Sequence, residues 1–121
     1  MTSSFERQVQ EALDRIPPGL QEGIRNVAVV VKERPGEEAR EAFPDGDWED
    51  LYGFYQGVPL PERSADDSGL VPDVIYIYQH PLEEDFPDKE DLIREIEITV
   101  VHELAHYFGF DEAQLEHYGY D

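Results

Sequence analysis

The sequence predicts an α+β fold on three observations: a helical apolar period at the N-terminus, three short β-branched or aromatic runs, and a long helical stripe near the C-terminus. At 121 residues the chain is expected to form one domain over 1–121. A domain of that size buries about two thirds of the surface its unfolded form exposes.

The elements follow in order. Phe5, Val9, Ala12, Leu13 and Ile16 recur at helical spacing after Ser3 or Ser4 as a cap, and Pro17-Pro18-Gly19 ends the pattern. Asn26 leads into Val27-Ala28-Val29-Val30-Val31, a β-branched run that suits a buried strand. Glu33 to Glu49 is acidic, is broken by Pro35, Gly36, Pro44 and Gly46, and reads as a loop. Leu51 to Gln56 is a second strand in which Gly53 permits a bulge or a close backbone approach; Gly57 to Pro61 ends it, and Glu62 to Gly69 is another loop. Asp73 to Tyr78 is a third strand, with Val74, Tyr76 and Tyr78 on one face and Ile75 and Ile77 on the other.

Pro81 to Pro87 reads as a connector. From Asp88 a helix can run about 20 residues, with Leu92, Ile93, Ile96, Val100, Leu104 and Phe108 as its apolar stripe and Gly109 placed for its final turn. The acidic residues Asp88 and Asp91 suit the positive end of its dipole. A short helical segment, Glu112 to His117, follows.

Charge narrows the partners. Twenty-nine acidic residues against nine basic ones give a net charge of -20, which repels nucleic-acid phosphates and anionic membrane surfaces. Divalent cations, basic peptides and basic protein surfaces are favoured instead. No cysteine is present, so any metal must sit on nitrogen and oxygen ligands. The first ten residues, MTSSFERQVQ, carry neither a basic nor an apolar leader pattern, and no run approaches the length of a membrane span. The expected location is cytoplasmic.

The feature that carries chemistry is His102-Glu103-Leu104-Ala105-His106 near the end of the long helix. Histidines four apart differ by about 40° around an α-helix, so both imidazoles can address one ion. The glutamate after the first histidine lies within reach of a water on that ion. The expected metal is Zn2+, with His102 and His106 as ligands and Glu103 as general base. A glycine at 109 lets the chain turn back, and Glu112, ten residues after His102, is the first candidate for the third ligand. Asp111, Glu116 and His117 are its rivals. His80 follows a strand and precedes Pro81, which suits a plain loop histidine.

The stretch from His102 to Glu112, HELAHYFGFDE, resembles the signature of the small bacterial zincin-like metallopeptidase family, the minimal zincins, whose pattern is close to HExxHxFGxDD. YGFYQGVPL (Tyr52 to Leu60) and PDVIYIYQHPL (Pro72 to Leu82) resemble its upstream segments, so the likeness covers about half the chain. The resemblance implies a zincin-like α+β fold: a small mixed sheet of about three to four strands against an N-terminal helix and a long active-site helix, with a short C-terminal helix. It also implies zinc at His102, His106 and Glu112. The departure is Glu112 where the family more often has Asp, one methylene shorter.

The reaction this implies is hydrolysis of a peptide bond in a peptide or protein substrate, with Glu103 taking a proton from the attacking water and passing it to the leaving amine. The lone methionine, Met1, cannot supply the Met-turn of metzincins, and a chain of this length has no room for a far cleft wall. A shallow groove and weak or narrow activity are therefore expected. Glu95 and Thr99, seven and three residues before His102, share its helix face and suit hydrogen bonds to the ligand imidazoles, although an ordinary surface role fits each of them. Tyr52, Tyr55, Tyr76, Tyr78 and Tyr107 include candidates for stabilising developing negative charge. Two alternatives stand beside the enzyme. One is a non-catalytic, metal-stabilised acidic module that binds a basic protein partner; the other is an acidic interaction protein without metal. Glu103 separates the first alternative from the enzyme, because a purely structural site needs no base. The oligomeric state is not legible.

Overall fold

The computed structural model describes residues 4–25, 27–57, 73–108, 112–117 and 119, and of 22, 23, 25, 106–108, 112 and 114 the backbone alone. The N-terminal period forms helix α1, Ser4–Arg15, which buries Phe5, Val9 and Ala12. The Pro17-Pro18-Gly19 stop is also a start: α2 runs Pro18–Arg25. Pro18 occupies the first helical position, where its missing N–H is no loss. The Pro17 carbonyl accepts from the Leu20 and Gln21 amides at 2.9 and 3.1 Å.

Strand β1, Val27–Lys32, is half-buried rather than buried, because it lies at the edge of the described sheet and not at its centre. The loop expected from Glu33 to Glu49 contains a short helix α3, Glu37–Ala42, and runs into a 3-10 turn, Trp48–Asp50. Only Ala39 of α3 is buried, so no apolar period existed to be read. Strand β2 spans Gly53–Gln56, shorter at its start than expected, although the Tyr52 carbonyl still accepts from the Tyr78 amide at 2.9 Å.

Strand β3, Asp73–Tyr78, falls at its expected bounds and forms the middle of a three-stranded sheet of order β1-β3-β2. It pairs parallel with β1, from Val27↔Asp73 to Lys32↔Tyr78. With β2 it pairs antiparallel, from Gly53↔Ile77 to Gln56↔Val74. The described sheet is therefore mixed.

Helix α4, Gln79–Asp85, replaces the first part of the connector expected from Pro81 to Pro87. Pro81 is tolerated because it sits in the first turn, whose amides have no intrahelical partner. Helix α5, Lys89–Phe108, matches the long stripe. Its start is capped by Asp88, whose Oδ2 accepts from the Glu90 and Asp91 amides at 3.1 and 3.2 Å. Helix α6, Glu112–His117, takes its expected bounds. The lead-in at Asn26, the end of the second strand beyond Gly57, the Glu62 to Gly69 loop and the turn at Gly109 lie outside the described residues.

Packing divides the molecule by the two faces of the sheet. On one face Phe5, Val9, Ala12, Ile16 and Leu20 meet Ile75, Ile77 and the α5 stripe of Leu92, Ile93, Ile96, Val100 and Leu104 in one buried cluster. Burying each large side chain contributes about 1.5–3 kcal/mol, so this face carries α5 firmly. On the other face Tyr78, Phe54 and Ala39 form a small cluster, with Trp48, Leu51 and Tyr76 packed against it. The tyrosine and isoleucine faces of β3 thus separate as its alternation predicts.

Candidate metal site

Helix α5 is unbroken from Lys89 to Phe108, so residues 102 and 106 stand one turn apart on a continuous α-helical backbone. The stripe fixes which way they face. Leu104 and Ala105 are buried while His102 is exposed and Glu103 half-buried, which turns the first histidine away from the core and holds the glutamate at its margin. The side chain of His106 lies outside the described residues, as do that of Glu112, the first residue of α6, and all of Asp111. The rivals Glu116 and His117 are described, and both are exposed on α6. Among the described residues no three His, Asp or Glu side chains are grouped to hold a metal ion. The fit of zinc to these residues therefore rests on donor chemistry and helix phase: two histidines at one-turn spacing on α5, the first of them exposed, with acids on α6.

Strand β2, at an edge of the described sheet, borders this helix. A Cβ at Gly53 would strike the Tyr76 carbonyl oxygen and stand 3.2 Å from Cγ2 of Thr99 on α5. Only glycine permits β2 this close approach, one turn of α5 before His102. The Thr99 hydroxyl donates to the Glu95 carbonyl at 2.8 Å, so its proton is committed within the helix.

Four of the five tyrosines that the sequence offers as charge stabilisers donate to other protein groups. Tyr52 donates to Asp85, and that bond, then burial, pushes its phenol up to about 12. Tyr55 donates to Asp73 at 2.5 Å, Tyr76 to Gln56 at 3.0 Å and Tyr78 to Glu38 at 3.2 Å. The side chain of Tyr107 lies outside the described residues. His80 is helical, in α4, and not in a loop; its Nδ1 lies 3.3 Å from the Arg34 guanidinium, and its amide donates to the Glu33 carbonyl at 2.9 Å.

One arrangement was not anticipated. Arg94 reaches the buried Glu97 at 3.2 Å and the Gly119 carbonyl at 3.0 Å, tying α5 to the chain beyond α6. In sequence this is an ordinary Arg/Glu pair three apart on a helix, and no motif distinguishes it.

The geometry places the segment from His102 to His106 on an unbroken helix that packs beside β2, a strand at the edge of the small mixed sheet described. The sequence profile of the zincin-like metallopeptidase family matches residues 24–120, and the chain belongs to that family. Membership implies zinc binding in general terms. Among solved structures, a conserved hypothetical protein from Thermo thermophilus is 22% identical with a TM-score of 0.52, over 88% of this chain and 92% of that one. At that identity the likeness speaks to the fold alone. No match is found among curated proteins. No helix among the described residues is long and apolar enough to cross a membrane.

Proposed function

We propose that this chain is a cytoplasmic zinc metallopeptidase that hydrolyses peptide bonds in a peptide or protein substrate, with His102, His106 and Glu112 as metal ligands and Glu103 as general base. The observation that carries the reading is the position of the motif: an unbroken helix, apolar on one side, which presents His102 to solvent and keeps Glu103 half-buried beside it. Family membership supports it.

Zinc held by these residues would supply Lewis acidity toward a scissile carbonyl and toward a water, whose pKa such sites bring to about 7. Glu103 accepts the proton of the attacking water and returns it to the amine as the bond breaks. Its place at the border of core and solvent suits this double role, since partial burial keeps competing water away from the carboxylate. An extended substrate would lie along the outer edge of β2 and pair with its backbone. Activity on generic protein substrates is expected to be weak, and the net charge of -20 turns away nucleic acid and anionic membranes.

The test separates metal from chemistry. Glu103→Gln should retain zinc by elemental analysis while peptide-library cleavage falls by about 100-fold or more. His102→Ala and His106→Ala should lose both metal and cleavage. Equal zinc loss in all three variants would refute the division of roles, and robust casein cleavage by the zinc-loaded monomer would refute the expectation of weak activity.

A further inference from the structure

Strand β2 and helix α5 pack against each other, and their contact is made by a missing side chain and a methyl. Side chains alternate along β2: Tyr55 packs against the large core on the α5 side, and Phe54 belongs to the small cluster on the other face. Gly53 therefore faces α5 together with Tyr55. A Cβ there would strike the Tyr76 carbonyl oxygen and stand 3.2 Å from Cγ2 of Thr99. The Thr99 hydroxyl is turned back to the Glu95 carbonyl at 2.8 Å, so the methyl is what the strand meets.

The side of α5 that meets β2 is the side that carries the motif. At about 100° per residue, position 106 stands about 20° from Thr99 around the helix, position 103 about 40° and position 102 about 60°. The buried stripe lies on another side: Ile93, Val100 and Leu104, each at 2% exposure or less, fall about 100–140° round from Thr99. All these positions belong to one unbroken helix, so the phases carry through it. Thr99 thus sits near the centre of the motif's arc, about 4.5 Å along the axis before His102.

Other contacts hold β2 in the remaining directions. Its ladder to β3 runs from Gly53↔Ile77 to Gln56↔Val74. Tyr52, just before the strand, donates to Asp85 and sets its ring 5.6 Å from that of Phe86. The height of the strand above the helix is set where Gly53 meets Thr99. A substrate strand paired with the outer edge of β2 would lie about 4.8 Å from it, so a change in that height passes on to the substrate's carbonyls.

We propose that Thr99 is a positioning residue for peptide hydrolysis: its methyl, against a strand with no side chain at 53, sets the distance from β2 to the motif turns and so from the scissile carbonyl to the catalytic groups. This rests on the reading of the chain as a zinc metallopeptidase whose substrate pairs with β2. Gly53→Ala cannot isolate the effect, because the Tyr76 carbonyl is struck as well, so the test substitutes Thr99. The probe is the octapeptide that the zinc-loaded wild type cleaves fastest in a peptide library. Its kcat is measured with each variant, and its affinity, by fluorescence anisotropy, with the same variant carrying Glu103→Gln. Thr99→Leu should lower kcat by about 10–100-fold, the cost of a shift of about 1 Å at the reacting atoms, while peptide affinity and zinc content stay within about twofold of wild type. A merely loosened fold would lower all three together. Thr99→Val keeps the methyl and loses only the hydroxyl, and should match wild type. Thr99→Ser removes the methyl and keeps the hydroxyl; it should lose several-fold in kcat and carries the test if Thr99→Leu does not fold.

Wild-type kcat in the folded variant, a fall in peptide affinity that matches the fall in kcat, or a loss in Thr99→Val as large as in Thr99→Leu would overturn the role of Thr99 and leave the peptidase standing. If the zinc-loaded wild type cleaved no octapeptide, the peptidase reading itself would fall and the role of Thr99 with it.

Discussion

The two faces of the sheet are built from different materials. Beneath α1, α2 and α5 the interior is hydrocarbon but for Glu97 and Asp73, with Ile75, Ile77, Ile93, Ile96 and Val100 at 0% exposure. Beneath α3 and the 3-10 turn it is aromatic and threaded by charge. There Tyr78 donates to Glu38 at 3.2 Å, Lys32 meets Glu38 at 3.0 Å, and the same ammonium stands 5.4 Å over the Tyr76 ring. Non-directional packing supports the helix that carries the histidines, and directional bonds hold the opposite side. The first face should therefore be the less tolerant of lost volume, and the second the more dependent on pH.

Three measurements sharpen or break that contrast. Ile96→Ala should cost about 2–5 kcal/mol of unfolding free energy, because it removes a branched side chain from a fully packed site. Chemical denaturation reads this directly, and a loss under about 1 kcal/mol would mean that the hydrocarbon face is not what holds α5. Gly53→Ala should cost about 1–3 kcal/mol, since its methyl would push β2 off both the Tyr76 carbonyl and Thr99. An unchanged melting temperature would show that the edge strand does not sit tightly on the helix. The smallest effect is expected from Glu38→Gln, at about 1 kcal/mol near neutral pH.

That last difference should vanish in acid. Burial pushes the Glu38 carboxyl up, but Lys32, a backbone amide and the Tyr78 hydroxyl together outweigh it and leave the group below its ordinary value of 4.5. A depressed folded-state value means that the ionised carboxylate stabilises the fold above 4.5 and that this contribution is lost as pH falls through the folded value. Wild type and Glu38→Gln should therefore converge in acid. A gap that stayed constant from neutral to acid pH would contradict the ionic account of this face. The Tyr78 phenol, raised chiefly by burial and then by Glu38, stays protonated throughout.

Legibility followed the same division. The bounds of β3 and α6 and nearly all of α5 could be read, because strict alternation in 73–78 and a stripe from Leu92 to Leu104 are periodic signals that tertiary contacts merely confirm. Helices α2, α3 and α4 could not. Each is eight residues or fewer, two contain proline, and isolated helices so short are unstable without outside support. α4 exists because Pro81 and Leu82 are buried and because the His80 amide finds the Glu33 carbonyl, far earlier in the chain. At the site, the histidine spacing and its helical setting were legible, since a one-turn repeat on a helix is a local property. The bond from Arg94 to the Gly119 carbonyl was not, because it depends on where residues 25 apart in the chain meet in space.

The contact between α1 and α5 has a consequence for synthesis. Phe5, Val9 and Ala12 are covered by residues such as Ile93, Ile96 and Val100, which leave the ribosome about eighty residues later. Until then the first helix has an apolar stripe and no partner, a stretch that chaperones recognise and neighbouring nascent chains can capture. The histidine turns emerge directly after the residues that bury this stripe, so closing the interior and forming the helix that carries His102 and His106 belong to one event.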